Sequence, residues 1–302
     1  MRRLGFLLSF LLLVGCTPEM GHPASLIASE RILGVRALPA EAAPGDAVQY
    51  TSLVVFPSGT VDGEDVMWSL CNLRKPVDEN TPVSQACLIE DLPASAQGGQ
   101  VSIRTPSAAC VNFGPLAPAS TSGTLRPSDP DATGGYYQPI RLDLGTEQAI
   151  FRERLHCDLA GASLLLSQEF RARYTANLNP TLLSLSALVG EAPTDLGQLP
   201  ASRRIRLVAA WTEDSAETYP VFDSASQTLV DHREALWLSW FTTAGAFDES
   251  TTGRGEDDTT AWTENTWQSP AVAGDVLLWL VLYDSRGGVD FASYILTVVP
   301  FL

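Results

Sequence analysis

Residues 32–71 read ILGVRALPAEAAPGDAVQYTSLVVFPSGTVDGEDVMWSLC, and the fold class is decided there. Ile32 to Leu38 is a first strand. Pro39 to Asp46, with two prolines and a glycine, is a turn. Ala47 to Phe56 is a second strand carrying Val48, Tyr50 and Leu53. After a turn at Gly59 to Asp65, Val66 to Cys71 alternates, with Val66, Trp68 and Leu70 on one side. Short β-rich runs separated by Gly/Pro turns, the third holding a central Trp, describe the opening of a two-layer β-sandwich.

Downstream, residues 75–135 interrupt the pattern with Pro, Ser and Gly, and strand character resumes at Tyr136 to Leu144 and Ala149 to Cys157. Ser163 to Tyr174 is the one strong helix candidate. Leu166, Phe170 and Tyr174 share a face, Ser163 can cap, and Glu169 can pair with Arg173. A second strand series runs through Leu182 to Val189, Arg204 to Trp211, Ala235 to Phe241, Asp275 to Tyr283 and Val289 to Val299. In DVLLWLVLYD (275–284) both faces are apolar, so this strand is expected to be buried on both sides. The expected architecture is mainly β: two immunoglobulin-like β-sandwich domains, the first with a long disulfide-containing insertion, joined by a short helix. The expected boundaries are a signal peptide at 1–15, a lipidated tether at 16–30, a first domain at 31–160 with its insertion at about 75–135, a helical connector at 161–180 and a second domain at 181–302. Trp68 and Trp240 are the expected core tryptophans, one in each sandwich.

The chain has 302 residues, a hydrophobic content of 45% and a net charge of −16. That composition supports packed cores rather than disorder. The acidic balance repels phosphates and excludes nucleic acid as a natural partner. Leu238-Ser239-Trp240-Phe241, Gly274-Asp275 and Tyr283-Asp284 before Arg286-Gly287-Gly288 make residues 181–302 similar to immunoglobulin-like domains of the polycystic-kidney-disease type. The segment from Glu213 to Glu234 departs from that pattern.

Arg2 and Arg3 precede an apolar run, Leu4 to Leu13, too short to span a bilayer. The run ends in Leu13-Val14-Gly15-Cys16, which resembles the lipobox of bacterial lipoproteins. The resemblance implies cleavage before Cys16, acylation of Cys16 (palmitate-type chains) and, with Thr17 rather than Asp following, anchoring at the cell outer membrane. VRALPAEAAPGDAVQYTSLV, DPDATGGYYQPIRL, and RLHCDLAGA with the downstream NLNP make the whole chain similar to Gram-negative outer-membrane lipoproteins of the myxobacterial type. That resemblance implies location and architecture rather than a mechanism.

Four further cysteines, Cys71, Cys87, Cys110 and Cys157, are an even number in an oxidising compartment and suggest two disulfides. Three pairings are possible, and the alternative is a zinc site using His156. No HExxH, GxSxG, Walker or dinucleotide motif is present, and only His22, His156 and His232 could serve as a histidine base, so no catalytic residue is assigned. Asp248, Glu249, Glu256, Asp257 and Asp258 crowd a Gly-containing loop and are the candidates for calcium, the only cofactor considered; a solvated acidic loop is the competing reading. Trp262 and Trp267 flank Asn265 in a loop-like stretch and are the candidates for stacking on sugar rings, packing being the alternative. The expected function is a lipid-anchored envelope protein with a structural or interaction role toward an envelope protein or polysaccharide. A carbohydrate-binding module and a hydrolase are the rivals.

Overall fold

Alternation in AVQYTSLVVF sends Val48, Tyr50 and Val54 to one face and Leu53 and Val55 to the other, and both faces are buried. A strand covered on both sides needs a layer on each, and the computed structural model supplies them. It describes residues 24–73, 79, 81, 83–114, 132–145 and 147–300, so the expected signal peptide, Cys16 and part of the 75–135 segment lie outside the described residues.

The first sandwich uses β1 (Arg31–Leu38), β2 (Glu41–Ala42), β3 (Ala47–Phe56), β4 (Gly59–Val61), β5 (Met67–Leu70), β6 (Ala96–Gln97), β7 (Gln100–Arg104), β8 (Gly135–Asp143) and β9 (Gln148–His156). One sheet joins β1, β3 and β4, with β7 also on β3; the other runs β2-β9-β8-β5-β6. The second sandwich uses β10 (Leu182–Val189), β11 (Ala192–Thr194), β12 (Leu199–Pro200), β13 (Arg204–Trp211), β14 (Thr218–Asp223), β15 (Thr228–Arg233), β16 (Leu236–Thr242), β17 (Ala246–Phe247), β18 (Thr251–Arg254), β19 (Trp262–Gln268), β20 (Gly274–Asp284) and β21 (Val289–Val299). Its sheets run β11-β10-β13-β19-β17 and β12-β21-β20-β16-β18, with β14 and β15 as a separate hairpin.

The two sandwiches repeat one topology. In each, the last strand is flanked by a two-residue strand running parallel to it, β2 on β9 and β12 on β21. In each, the strand holding the core Trp lies beside the penultimate strand, β5 on β8 and β16 on β20. This is the immunoglobulin-like arrangement, with Trp on its third main strand. Trp68 and Trp240 are both fully buried. Each indole N–H is satisfied, donating to the Gly98 carbonyl at 2.6 Å and to the Thr252 hydroxyl at 2.9 Å.

The disulfides are Cys71–Cys87 and Cys110–Cys157. The first ties α1 (Ala86–Ile89) to the end of β5, and the second ties α2 (Ala109–Phe113) to the end of β9. Zinc coordination by these cysteines is thereby excluded. The 75–135 segment also contributes β7, whose Val101 and Ile103 enter the core. Its alternation is hidden in the sequence by the surrounding Pro, Ser and Gly. Ser163 caps α3 (Leu164–Arg173), accepting from the Leu166 amide, and Phe170 is buried. The long Glu213–Glu234 segment folds as the β14–β15 hairpin, which reaches back to that helix: Phe170, Phe222 and Leu159 form a small core of their own.

The strand with two apolar faces explains how the sandwiches meet. Leu278, Leu280 and Leu282 of β20 enter the second core. Trp279 and Val281 point the other way, onto Leu33, Leu53 and Val55 of the first sandwich. Four sheets are therefore stacked, with an apolar layer between the inner two. A Cβ at Gly34 would lie 3.1 Å from Val281 Cγ1, so the close approach of β1 to β20 depends on glycine there. The tether expected over 16–30 is corrected in its described part. Thr242 exchanges backbone hydrogen bonds with Ser25 and Ile27, and Ile27 is buried in the same apolar layer. An apolar side chain gains more from that layer than from solvent.

Trp68→Ala and Trp240→Ala should each cost about 3–5 kcal/mol, with Trp262→Ala costing far less. Because the sandwiches share the apolar layer, Gly34→Leu should also lower the denaturation midpoint, and all four variants should keep one cooperative transition by circular dichroism and tryptophan fluorescence. Two separated transitions in the parent chain would contradict the shared layer.

Candidate functional site

Tyr174 to Pro180 links the sandwiches, and within it Asn177 is buried and Asn179 half-buried. Their partners come from both sides. Asn177 donates to the Asp284 carboxylate at 3.2 Å and its amide N–H donates to Glu41 at 2.9 Å. Asn179 donates to the Ala37 carbonyl at 2.7 Å and accepts from the Val289 amide at 2.9 Å. One short asparagine-rich run thus hydrogen-bonds the first strand of one sandwich and the last turn of the other.

Arg286 is the centre of this junction. Its side chain is 2% exposed. Nε donates to Glu234 at 2.6 Å, Nη2 to Glu217 at 2.8 Å and Nη1 to the Thr175 carbonyl at 2.9 Å. The guanidinium also lies 4.5 Å from the centre of the Tyr219 ring. The turn that carries it needs Gly287 at φ 106°, and a Cβ at Gly288 would overlap the Asp284 carboxylate. Glu41, on the two-residue β2, accepts from the Tyr174 hydroxyl at 2.8 Å and lies 3.4 Å from Arg154 Nε. Burial alone would raise the Glu41 carboxyl; the His156 ring, the Arg154 charge, the Asn177 amide and Tyr174 outweigh it and hold the group below its ordinary value. Glu234 moves the other way, to about 7, through burial and the nearby Asp284.

Beside the junction lies a cleft of about 520 Å³. Its floor is the gap between β1 and β9, lined by Val35, Tyr50 and Glu153, and its far wall is Trp237 with Tyr283 to Ser285. β9 is an edge here: its partner β2 covers only Arg154 and Leu155. Glu153 is 2% exposed, yet its Oε1 has no hydrogen-bond partner among the described residues. Burial, and then the charge of Glu41, push its carboxyl well above the ordinary carboxylate range.

The residues singled out from sequence fall elsewhere. Trp267 is fully buried in the second core, while Trp262 is 42% exposed with Arg254 over its ring. Five positions apart on β19, the two face opposite sides and cannot stack together on a sugar. The calcium candidates are also dispersed, and no group of three or more metal-ligating side chains gathers among the described residues. Asp248 pairs with Arg204, Glu256 with His232 and Asp258 with Arg254. Glu249 donates its backbone N–H to the Asn265 side chain. Sequence reading missed Glu41, Glu153, Asn177 and Arg286. The one signal was NLNP, whose two asparagines precede Leu and Pro with no helix to cap.

The site therefore belongs to a chain of two fused immunoglobulin-like sandwiches. No family model matches it, and no curated protein matches it. Among solved structures it is similar to the titin domains Z1Z2 in complex with telethonin (9% identity over 91% of this chain and 99% of that one, TM-score 0.21). It is also similar to the Yersinia pseudotuberculosis adhesin InvE (8%, 88% and 58%, 0.23) and to domains 4 and 5 of the S-layer protein SbsC (7%, 90% and 100%, 0.20). The chain spans 58% of the solved InvE chain. The sandwich assignment rests on the strand pairing above rather than on these superpositions.

Arg286→Met should destabilise the fold by about 3–5 kcal/mol, because it strands Glu217 and Glu234 beside Asp284. Adding Glu234→Gln should recover part of that loss in chemical denaturation. A second expectation concerns pH. The folded state holds the Glu153 proton more tightly than the unfolded chain, so this contribution is full below the ordinary carboxylate range and is lost as pH rises through the folded value. Glu153→Gln should match the parent in stability at pH 4 and exceed it at pH 8. Equal stability of the two proteins at both pH values would contradict the raised value.

Proposed function

We propose that the chain is a lipid-anchored envelope protein whose fused sandwiches act as one rigid body, presenting loops and strand edges to an envelope protein or polysaccharide. The carrying observation is the junction. An apolar layer and a buried ionic network join the halves, so surfaces on both keep a fixed relation to each other. Rigid scaffolds suit presentation, because little ordering cost falls on the binding event.

Anchoring is supported by Leu13-Val14-Gly15-Cys16 behind its short apolar run, and the two disulfides suit an oxidising compartment. More than one acyl chain on Cys16 would give durable attachment where one chain is marginal. A non-enzymatic role fits a junction whose arginine and carboxylates are spent largely on one another.

Cys16→Ser should abolish incorporation of labelled palmitate and move the chain from the outer-membrane fraction to a soluble one or to an uncleaved inner-membrane precursor. Labelling that persists in the variant would overturn the anchor.

A further inference from the structure

The junction cleft contains more than the junction needs. Glu41, Asp284 and Arg286 all have partners across it, and their network would be complete without a hollow. Beside them a cleft of about 520 Å³ stands between β1, β9 and the β20–β21 turn, within the ~300–1,000 Å³ typical of small-ligand sites. A buried carboxyl with no hydrogen-bond partner is costly. Glu153 carries one such unpartnered oxygen, Oε1, on the core-facing side of β9 with Phe151 and Leu155. A group of this kind, lining a cavity large enough for a ligand, is what a binding site looks like when empty.

We propose that this cleft binds a neutral, hydroxyl-rich ligand of one or two sugar rings, with Glu153 hydrogen-bonding its hydroxyls and Trp237 stacking at its mouth. The walls supply both halves of that recognition. Phe151, Trp237 and Tyr283 offer apolar ring surface. Trp237 is 44% exposed on the outward face of β16, where an indole gains by being covered. The Glu153 carboxyl oxygens accept hydrogen bonds from hydroxyl groups. A charged ligand fits less well. An anion would meet the Asp284 carboxyl. A cation would meet the Arg152 guanidinium on the lining, while the Tyr137 ring is already taken by Arg152 and Arg154 at 5.2 and 5.3 Å.

This site is separate from the Trp262–Trp267 pair considered from sequence. It also stands whether or not Cys16 is acylated, so failure of the anchor and failure of the cleft are distinguishable.

The test is titration of the detergent-solubilised full chain, followed by tryptophan fluorescence and saturation-transfer NMR. The probes are glucose, maltose, N-acetylglucosamine and its β-1,4-linked disaccharide, with choline and inorganic phosphate as charged counterparts. At least one sugar should bind saturably, with a Kd on the order of 1 mM or tighter. Trp237→Ala, at a half-exposed position that leaves the fold intact, should weaken binding at least tenfold, and so should Glu153→Ala. Trp262→Ala, outside the cleft, should leave binding unchanged. Saturable binding by none of the sugars, binding that survives Trp237→Ala, or preference for choline or phosphate over every sugar would each overturn the proposal.

Discussion

A guanidinium buried without carboxylates would cost several kcal/mol, and that constraint organises this molecule around Arg286. Its partners come from separate parts of the chain. Glu217 and Glu234 flank the β14–β15 hairpin, and Thr175 belongs to the connector. Asp284 in the same turn accepts from Asn177, and Asn177 in turn reaches Glu41 of the first sandwich. Moving either half breaks hydrogen bonds that neither half can replace from water. The hairpin, the connector and the two lobes are in this sense one structural unit, whatever the sheet pairing says about domain limits.

The repeated topology makes the differences between the lobes informative. Both carry a two-residue parallel strand beside the last strand, and both bury Trp on the third main strand. In the second lobe the short strand is Leu199–Pro200, which packs apolar surface. In the first it is Glu41–Ala42, and it places a carboxylate opposite Arg154. The same backbone device closes a core in one lobe and in the other delivers a charge to the junction. The β20 strand shows a similar economy, since its two apolar faces fill two different cores.

What the sequence made legible was local. Strand positions such as Leu182–Val189 and Arg204–Trp211, the Ser163 cap and both core tryptophans follow from periodicity and turn chemistry, which need only neighbouring residues. The β19 strand was opaque for a physical reason. Its inward residues are Thr263, Asn265 and Trp267, so hydrophobic alternation is absent, and Asn265 earns its burial by pairing with the Glu249 backbone. The site was opaque for another. Glu41 and Arg286 acquire meaning only from partners brought together by folding, and a carboxylate in a Pro/Gly-rich turn reads as solvated until a second lobe covers it. Sequence also led toward the visible acidic loop and the paired tryptophans, residue types that signal chemistry by composition. The structure spends most of them on salt bridges and core.

The cleft is a consequence of the junction rather than an addition to it. Its floor belongs to the open side of the first sandwich, between the edges of β1 and β9, where β2 is too short to cover the strand beyond Arg154. Its far wall belongs to the second sandwich. Neither lobe alone would enclose it, and the close approach at Gly34 sets how far the walls stand apart. The ionic network and the apolar layer therefore fix the dimensions of the hollow, and they do so with groups that do not line it, apart from Tyr283, Asp284 and Val289. A cleft built this way can change its lining at the half-exposed Trp237 without altering the contacts that hold the lobes together, and so separates what the cleft binds from how the molecule stays folded.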